Sequence, residues 1–134
     1  DNLGICLLGR LDSSELSDYL VKSDIYCQVS HIENSPNSLC EAMLVGMPIV
    51  ATYAGGTSSL LENMKEGILV QDGDPYVLAG AISSMINNYS RAKSFGQNAR
   101  NRALYRHDKD RIVEELISAY QAVMLDYHQE GEAI

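Results

Sequence analysis

Hydrophobic positions along the chain change from short continuous runs to a helical spacing after about residue 75. The earlier runs are only a few residues long, which is typical of buried parallel strands, and helical patterns separate them. Alternating strands and helices at this spacing predict an α/β fold with a mostly parallel sheet of about four strands covered by helices. The predicted strands cover residues 3–8, 25–29, 47–52 and 68–70.

Residues that favour helix ends mark the helices between and after these strands. Asp74 is the predicted cap of a helix that begins at Pro75, since proline suits the first helical position. Strands stop appearing beyond this helix, so the carboxyl-terminal part is predicted to be helical. The other predicted helices run from Ser13 or Ser14 to about Lys22, from Asn37 or Ser38 to Gly46, from about 57, and near 91–105 and 109–128.

Composition and charge exclude several classes of function. The chain has 134 residues and a net charge of -8, and residues 1–90 hold eleven acids but only three bases. Nucleic acid and anionic membranes are therefore disfavoured partners, because both need a basic surface. No apolar run has the length of a membrane span. Three cysteines in or beside apolar runs favour reduced, buried thiols and a cytoplasmic location.

The most informative segment lies between the second and third predicted strands. Glu33 and Glu41 stand there with seven residues between them, around the start of a helix at Asn37 or Ser38. The free N–H groups of a helix start bind phosphate oxygens, and carboxylates pair with vicinal hydroxyls. Open parallel sheets bind ligands at this edge. The segment is the predicted functional site.

Other roles for the same residues remain open. Ser38 and Glu41 have the spacing of a capping box, in which Glu41 would fold back onto the N–H of Ser38. Glu33 can be an exposed loop acid, and Gly55-Gly56 can be a plain turn. His31 suggests a base, but a lone loop histidine is more often a packing residue.

The whole pattern resembles the group 1 (family 4) retaining glycosyltransferases of GT-B fold. The residues that carry the resemblance are Glu33, Glu41-Ala42-Met43, Gly46, Pro48 to Thr52 and Gly55-Gly56. The flanking segments Leu7-Leu8-Gly9, Ser23 to Tyr26 and Gly67 to Val70 are similar too. The family differs where this chain has Asn34-Ser35-Pro36, and where Ser59 replaces an acid.

The resemblance implies that residues 1–128 are part of the carboxyl-terminal, Rossmann-like nucleotide-sugar-binding domain, followed by a frayed tail at 129–134. It implies a role closest to the chemistry for Glu33, which reaches the donor sugar, while Glu41 holds the ribose. The remaining implied donor-binding residues are Asn37, Ser38, Leu39, Gly55 and Gly56.

The resemblance also sets expectations for partners. A nucleotide diphosphate sugar is the implied donor, and a glycan or lipid-linked acceptor would bind an N-terminal domain. No metal or other cofactor is expected. The phosphate-binding arginine and lysine of the family are not matched, since Gly9-Arg10-Leu11 lacks the following lysine. The chain is therefore interpreted as a fragment that is inactive alone, with an open sheet edge through which it can self-associate.

Two other functions fit the same residues. A sugar-nucleotide epimerase of the same fold would isomerise a donor without any acceptor. A non-catalytic Rossmann-like binding or interaction module would keep the fold but bind no nucleotide sugar. Saturable binding of nucleotide sugars distinguishes both kinds of enzyme from the non-catalytic module. Isomerisation of the donor in the absence of an acceptor distinguishes the epimerase from the glycosyltransferase.

Overall fold

The computed structural model describes residues 3–131 as an α/β fold. Strands and helices alternate up to β3, and only helices follow. The elements are α1 (Ser13–Lys22), β1 (Tyr26–Gln28), α2 (Asn37–Val45), β2 (Ile49–Thr52), α3 (Thr57–Leu60), β3 (Ile68–Val70), α4 (Pro75–Asn87), α5 (Tyr89–Arg106) and α6 (Lys109–Gly131). The predicted fold class and the helical carboxyl-terminal part are confirmed.

The sheet has three parallel strands in the order β1-β2-β3. Tyr26 lies opposite Ile49, and Thr52 lies opposite Val70. All three strands therefore end at one edge, and the loops to α2, α3 and α4 leave from that edge. This places residues 30–36, 53–56 and 71–74 together, as a parallel sheet requires of its ligand-binding loops.

The core lies on both faces of the sheet. Val50 and Val70 pack on one face with Ala81 and Met85 of α4 and with Phe95 of α5. Side chains alternate along a strand, so Ile49 and Ala51 point to the opposite face. α2 buries Leu39, Ala42 and Met43 completely or nearly so. Helices on both faces explain why β2 is buried at every position.

Most predicted helix ends are confirmed. Gly46 ends α2 in the left-handed conformation with φ of 85°, which glycine adopts without strain. Asp74 caps α4 by accepting hydrogen bonds from two backbone N–H groups. The predicted cap of α1 is wrong by one or two residues. Asp12 is the N-cap and forms a capping box with Glu15, because its carboxylate accepts from the N–H groups of Ser14 and Glu15 while the Glu15 carboxylate accepts from the N–H of Asp12.

The predicted first strand, residues 3–8, is not present. Leu3 is 80% and Leu7 is 93% exposed, and among the described residues this segment forms no ladder with any strand. An apolar run becomes a buried strand only where a neighbouring strand pairs with it and a helix covers it. The described sheet therefore has three strands rather than about four.

The cysteines are also more accessible than predicted. All three are free, but Cys6 and Cys27 are exposed and Cys40 is half-buried, so the predicted burial is wrong for two of them. Cys27 lies on an edge strand of the described sheet, which leaves its side chain partly uncovered. Even so, burial raises the pKa of the Cys27 thiol.

The chain divides into two compact units, residues 1–101 and 102–134. The first holds the sheet and its helices. In the second, Asp108 accepts a hydrogen bond from the N–H of Arg111, and the Arg111 guanidinium lies 3.8 Å from the ring centroid of Tyr105. α6 continues to Gly131, within the tail predicted to fray, and residues 132–134 of that tail lie outside the described residues.

Candidate functional site

Glu33 lies in the loop after β1, and its carboxylate accepts three hydrogen bonds. The N–H of Asn34 donates to Oε1 at 2.9 Å. Gln28 Nε2 and the Ser30 hydroxyl both approach Oε2, at 3.3 and 3.4 Å, which is long for a hydrogen bond. The loop is fixed in turn, because the Thr52 hydroxyl donates to the carbonyl of Ser30 at 2.6 Å. Glu33 is thus oriented by its own loop and by β1.

Tyr26 connects this loop to the start of α2. Its hydroxyl lies 3.0 Å from Gln28 Oε1 and 2.9 Å from Ser38 Oγ. Burial raises the pKa of Tyr26 most, the hydrogen bond with Ser38 opposes the increase, and the charges of Glu41 and Glu33 add to it. Both carboxylates therefore lie near enough to act on one hydroxyl group. Gln28 links Glu33 to Tyr26 by hydrogen bonds, whereas Glu41 acts on Tyr26 through its charge.

The capping-box interpretation of Glu41 is wrong. The N-cap of α2 is Pro36, and within residues 3–131 no side chain caps this helix. Ser38 is the second residue of α2 rather than its cap, and its hydroxyl contacts Tyr26 instead of a backbone N–H. Since a capping box needs the serine at the N-cap position, Glu41 has no such local role.

The start of α2 offers backbone N–H groups in place of a side chain. The helical hydrogen bonds begin with Cys40, whose N–H donates to the carbonyl of Pro36. The N–H groups of Asn37, Ser38 and Leu39 precede that bond and have no partner inside the helix. The Leu39 side chain is fully buried, so only its backbone can face a ligand. This arrangement suits an anion.

Gly55 and Gly56 hold the Glu33 loop from the other side. A Cβ on Gly55 would lie 1.4 Å from the carbonyl oxygen of Glu33, and one on Gly56 would lie 2.1 Å from that of Asn34. The N–H of Gly56 also donates to the carbonyl of Asn34 at 2.9 Å. The two glycines therefore allow close approach of protein backbone. Their predicted contact with a donor stays a prediction.

A groove of about 300 Å³ lies at the same edge of the sheet, over the start of α4. Among its lining residues, His31 contacts Asp72 through Nδ1 and Oδ2, 3.1 Å apart. The hydrogen bond from His31 is the main cause that lowers the pKa of the Asp72 carboxyl. His31 follows β1 and Asp72 follows β3, so their contact links the loop before α2 to the loop before α4.

Sequence reasoning found the acids and the helix start but missed the residues that position them. Tyr26 and Gln28 were interpreted as part of a plain buried strand. They share one face of β1, since residues two apart in a strand do, and a tyrosine and a glutamine on a buried face are the available signal. Asp72 was not singled out from the sequence. Its distance from His31 in the sequence hides their contact.

Two further observations concern metals and membranes. Within residues 3–131, histidine, cysteine and acidic side chains do not gather in groups of three that could bind a metal ion. For the same part of the chain, each helix is either too short or too polar to cross a bilayer.

The fold and this edge define an α/β domain of the nucleotide-sugar-binding type found in GT-B enzymes. Residues 2–102 match the model of the family described as glycosyl transferases group 1. The chain belongs to this family.

Relatives and solved structures agree with that membership. An uncharacterised glycosyltransferase of Methanocaldococcus jannaschii is 32% identical over 75% of this chain and 26% of its own length. The N-acetyl-alpha-D-glucosaminyl L-malate synthase of Bacillus anthracis is 25% identical over 91% of this chain and 32% of its own. HepE of Anabaena, solved with UDP-glucose, is 27% identical with a TM-score of 0.72, over 81% of this chain and 30% of HepE. The chain thus spans a quarter to a third of these proteins.

Proposed function

We propose that this chain is the donor-site portion of a retaining glycosyltransferase, which transfers a sugar from a nucleotide diphosphate sugar to a glycan or lipid-linked acceptor. The observation that carries the proposal is the α2 start without a side-chain cap, with Glu33 and Glu41 near the same hydroxyl group of Tyr26. An anion site beside two hydroxyl-binding carboxylates matches a molecule that joins a diphosphate to two sugars.

Each part of the donor has a corresponding group in the site. The N–H groups of Asn37, Ser38 and Leu39 would bind the diphosphate, and Glu41 would accept hydroxyl protons of the ribose. Glu33 would accept hydroxyl protons of the transferred sugar. Its carboxylate already accepts three hydrogen bonds, which suits a group that orients the sugar rather than one that attacks it. The departing phosphate would then take the acceptor proton.

Several features support this donor and the need for a further domain. HepE, similar in fold, was solved with UDP-glucose bound. Residues 1–90 carry only three bases, so we infer that cations for the diphosphate come from another part of the protein. The acceptor site is proposed to lie there too, and the chain alone is expected to be inactive. We also propose that transfer needs no metal ion and takes place in the cytoplasm.

The test is Glu33→Gln in the whole protein, with Glu114→Gln on exposed α6 as the matched control. The amide keeps the shape of the side chain but accepts hydroxyl protons at only one atom. We expect kcat/KM with UDP-glucose to fall more than about tenfold, which is at least ~1.4 kcal/mol of transition-state stabilisation. The control should stay at the unmutated rate.

The outcomes separate this proposal from the alternatives. Unchanged transfer by Glu33→Gln would contradict the role of Glu33. Isomerisation of the donor without any acceptor would favour an epimerase. A protein that shows no saturable binding of nucleotide sugars would be a non-catalytic module of the same fold.

A further inference from the structure

Gln28 is a buried polar residue whose amide has a partner at both ends. It is 7% exposed and lies at the end of β1. Its Nε2 approaches Glu33 Oε2 at 3.3 Å, and its Oε1 lies 3.0 Å from the Tyr26 hydroxyl. A buried amide without partners is destabilising, so these two contacts decide whether the residue is tolerated there.

The hydrogen bonds along this chain of side chains can run in only one direction. The Glu33 carboxylate accepts, so the NH₂ group of Gln28 faces it and the amide oxygen faces Tyr26. Tyr26 has one hydroxyl proton, and it must go to that oxygen. The hydroxyl groups of Tyr26 and Ser38 lie 2.9 Å apart. Because the Tyr26 proton is used on Gln28, we assign Ser38 as the donor of this second hydrogen bond and Tyr26 as its acceptor. The Glu33 carboxylate thus fixes which group donates and which accepts in each hydrogen bond, as far as Ser38 in the first turn of α2.

Packing alone gives no reason for this choice of residues. Two apolar side chains would fill the same face of β1 without removing an amide and a hydroxyl from water. Burial, followed by the charges of Glu41 and Glu33, raises the pKa of the Tyr26 hydroxyl, so Tyr26 keeps the proton that it donates to Gln28. Both polar side chains are thus used only within the connection between Glu33 and α2.

We propose that Gln28 and Tyr26 are positioning residues that set Glu33 in register with the start of α2, so that donor sugar and diphosphate are held at a fixed separation. This inference rests on the proposed function of Glu33. Correct positioning of the reacting groups accounts for a large part of the rate enhancement of an enzyme, and small displacements lower the rate strongly. The two residues act through Glu33 and Ser38 and are not placed against the donor.

The experiment compares Gln28→Leu and Tyr26→Phe in the whole protein, with Gln97→Leu and Tyr76→Phe as matched controls at exposed sites. The probes are UDP-glucose, for kcat/KM of transfer, and UDP, for affinity by calorimetry. We expect a loss of about tenfold in kcat/KM for Gln28→Leu and about threefold for Tyr26→Phe, since hydrogen bonds to charged groups are the stronger ones. UDP has no transferred sugar, so its Kd should change less than about twofold.

A double-mutant cycle distinguishes positioning from a general loss of structure. In the Glu33→Gln background, Gln28→Leu should lower kcat/KM less than about twofold, because its effect passes through Glu33. An undiminished tenfold loss in that background would overturn the inference, as would wild-type transfer by both single variants. Tyr26→Phe keeps the ring in place and provides the same cycle if Gln28→Leu does not fold.

Failure of the proposed function has a different signature. If Glu33→Gln itself leaves transfer unchanged, or if the unmutated protein binds neither UDP-glucose nor UDP, the proposed function is contradicted and this inference with it. If Glu33→Gln is impaired while Gln28→Leu and Tyr26→Phe are not, only the positioning role is wrong.

Discussion

α2 and α4 both begin at the same edge of the sheet, but the N–H groups of their first turns are capped differently. Asp74 closes α4, because its carboxylate accepts from the N–H groups of Tyr76 and Val77 at 2.9 and 3.0 Å. Pro36 precedes α2 and offers no side-chain acceptor. A helix start satisfied by its own cap is complete, whereas one without a cap can hold an external anion. The difference supports the proposal that the donor diphosphate binds at the start of α2 rather than at the start of α4.

The loops before these helices differ as well. The loop before α2 is fixed by backbone contacts with Gly55 and Gly56 and by the hydroxyl of Thr52. The loop before α4 is joined to the rest by the contact between His31 and Asp72, in which the histidine side chain is 71% exposed. Rigid, close-packed support is therefore found on the side where the predicted acids lie.

The largest expected effect comes from Gly55→Ala. The new Cβ would overlap the Glu33 carbonyl, and φ of 48° is unfavourable for alanine. We expect the free energy of unfolding to fall by about 3 kcal/mol, measured by denaturant titration. Gly80→Ala is the matched control, because nothing lies within 4 Å of its Cβ in α4. That variant should be more stable by about 0.5–1 kcal/mol. Equal effects at the two sites would show that the loop is not packed as described.

Removing the cap of α4 should have the next largest effect. Asp74→Ala leaves two N–H groups without their acceptor and is expected to cost about 1 kcal/mol of stability. Asp74→Asn is the control, since asparagine caps helices as well as aspartate does. Neither variant should change the affinity for UDP in calorimetry of the whole protein. Weaker UDP binding by Asp74→Ala would contradict the contrast between the two helix starts.

Two buried threonines, at the end of β2 and at the start of α3, should respond in opposite directions to replacement by valine. The Thr52 hydroxyl holds the Ser30 carbonyl, so Thr52→Val should cost about 1 kcal/mol. Thr57 is 1% exposed, and its buried Oγ1 has no hydrogen-bond partner in the described part of the chain. Thr57→Val should therefore be neutral or stabilising by up to about 1 kcal/mol. Denaturant titration of both variants measures the two changes in the free energy of unfolding. A destabilised Thr57→Val protein would indicate a partner for this hydroxyl.

The smallest effect concerns pH and the partly exposed Asp72. Its pKa is lowered in the folded state, mainly by the hydrogen bond from His31. The stabilisation is thus present above the unfolded pKa of about 3.9 and disappears as pH falls through the lower folded value. Asp72→Asn should slightly reduce the melting temperature at pH 6 to 7 and not at the acidic end, while Asp110→Asn serves as control. A difference in melting temperature that is the same at every pH would exclude the ionised Asp72 carboxylate as its cause.

Local patterns predicted most of the fold correctly. β1, β2 and β3, the cap at Asp74 and the end at Gly46 follow from short apolar runs and from residues with strong conformational preferences. The segment 3–8 has the same pattern but no strand beside it, so its prediction was wrong. Pairing is a property of the neighbouring chain, which an apolar run cannot specify.

The candidate site divides in the same way. Sequence alone determined that two carboxylates flank a helix start at the carboxyl edge of a parallel sheet, because spacing and strand order decide that. Only the tertiary structure decided that Ser38 contacts Tyr26 instead of capping α2, and that Gln28 joins Tyr26 to Glu33. Hydrogen bonds between separate elements depend on how a strand, a loop and a helix pack together, and that geometry is fixed by the whole core rather than by any one segment.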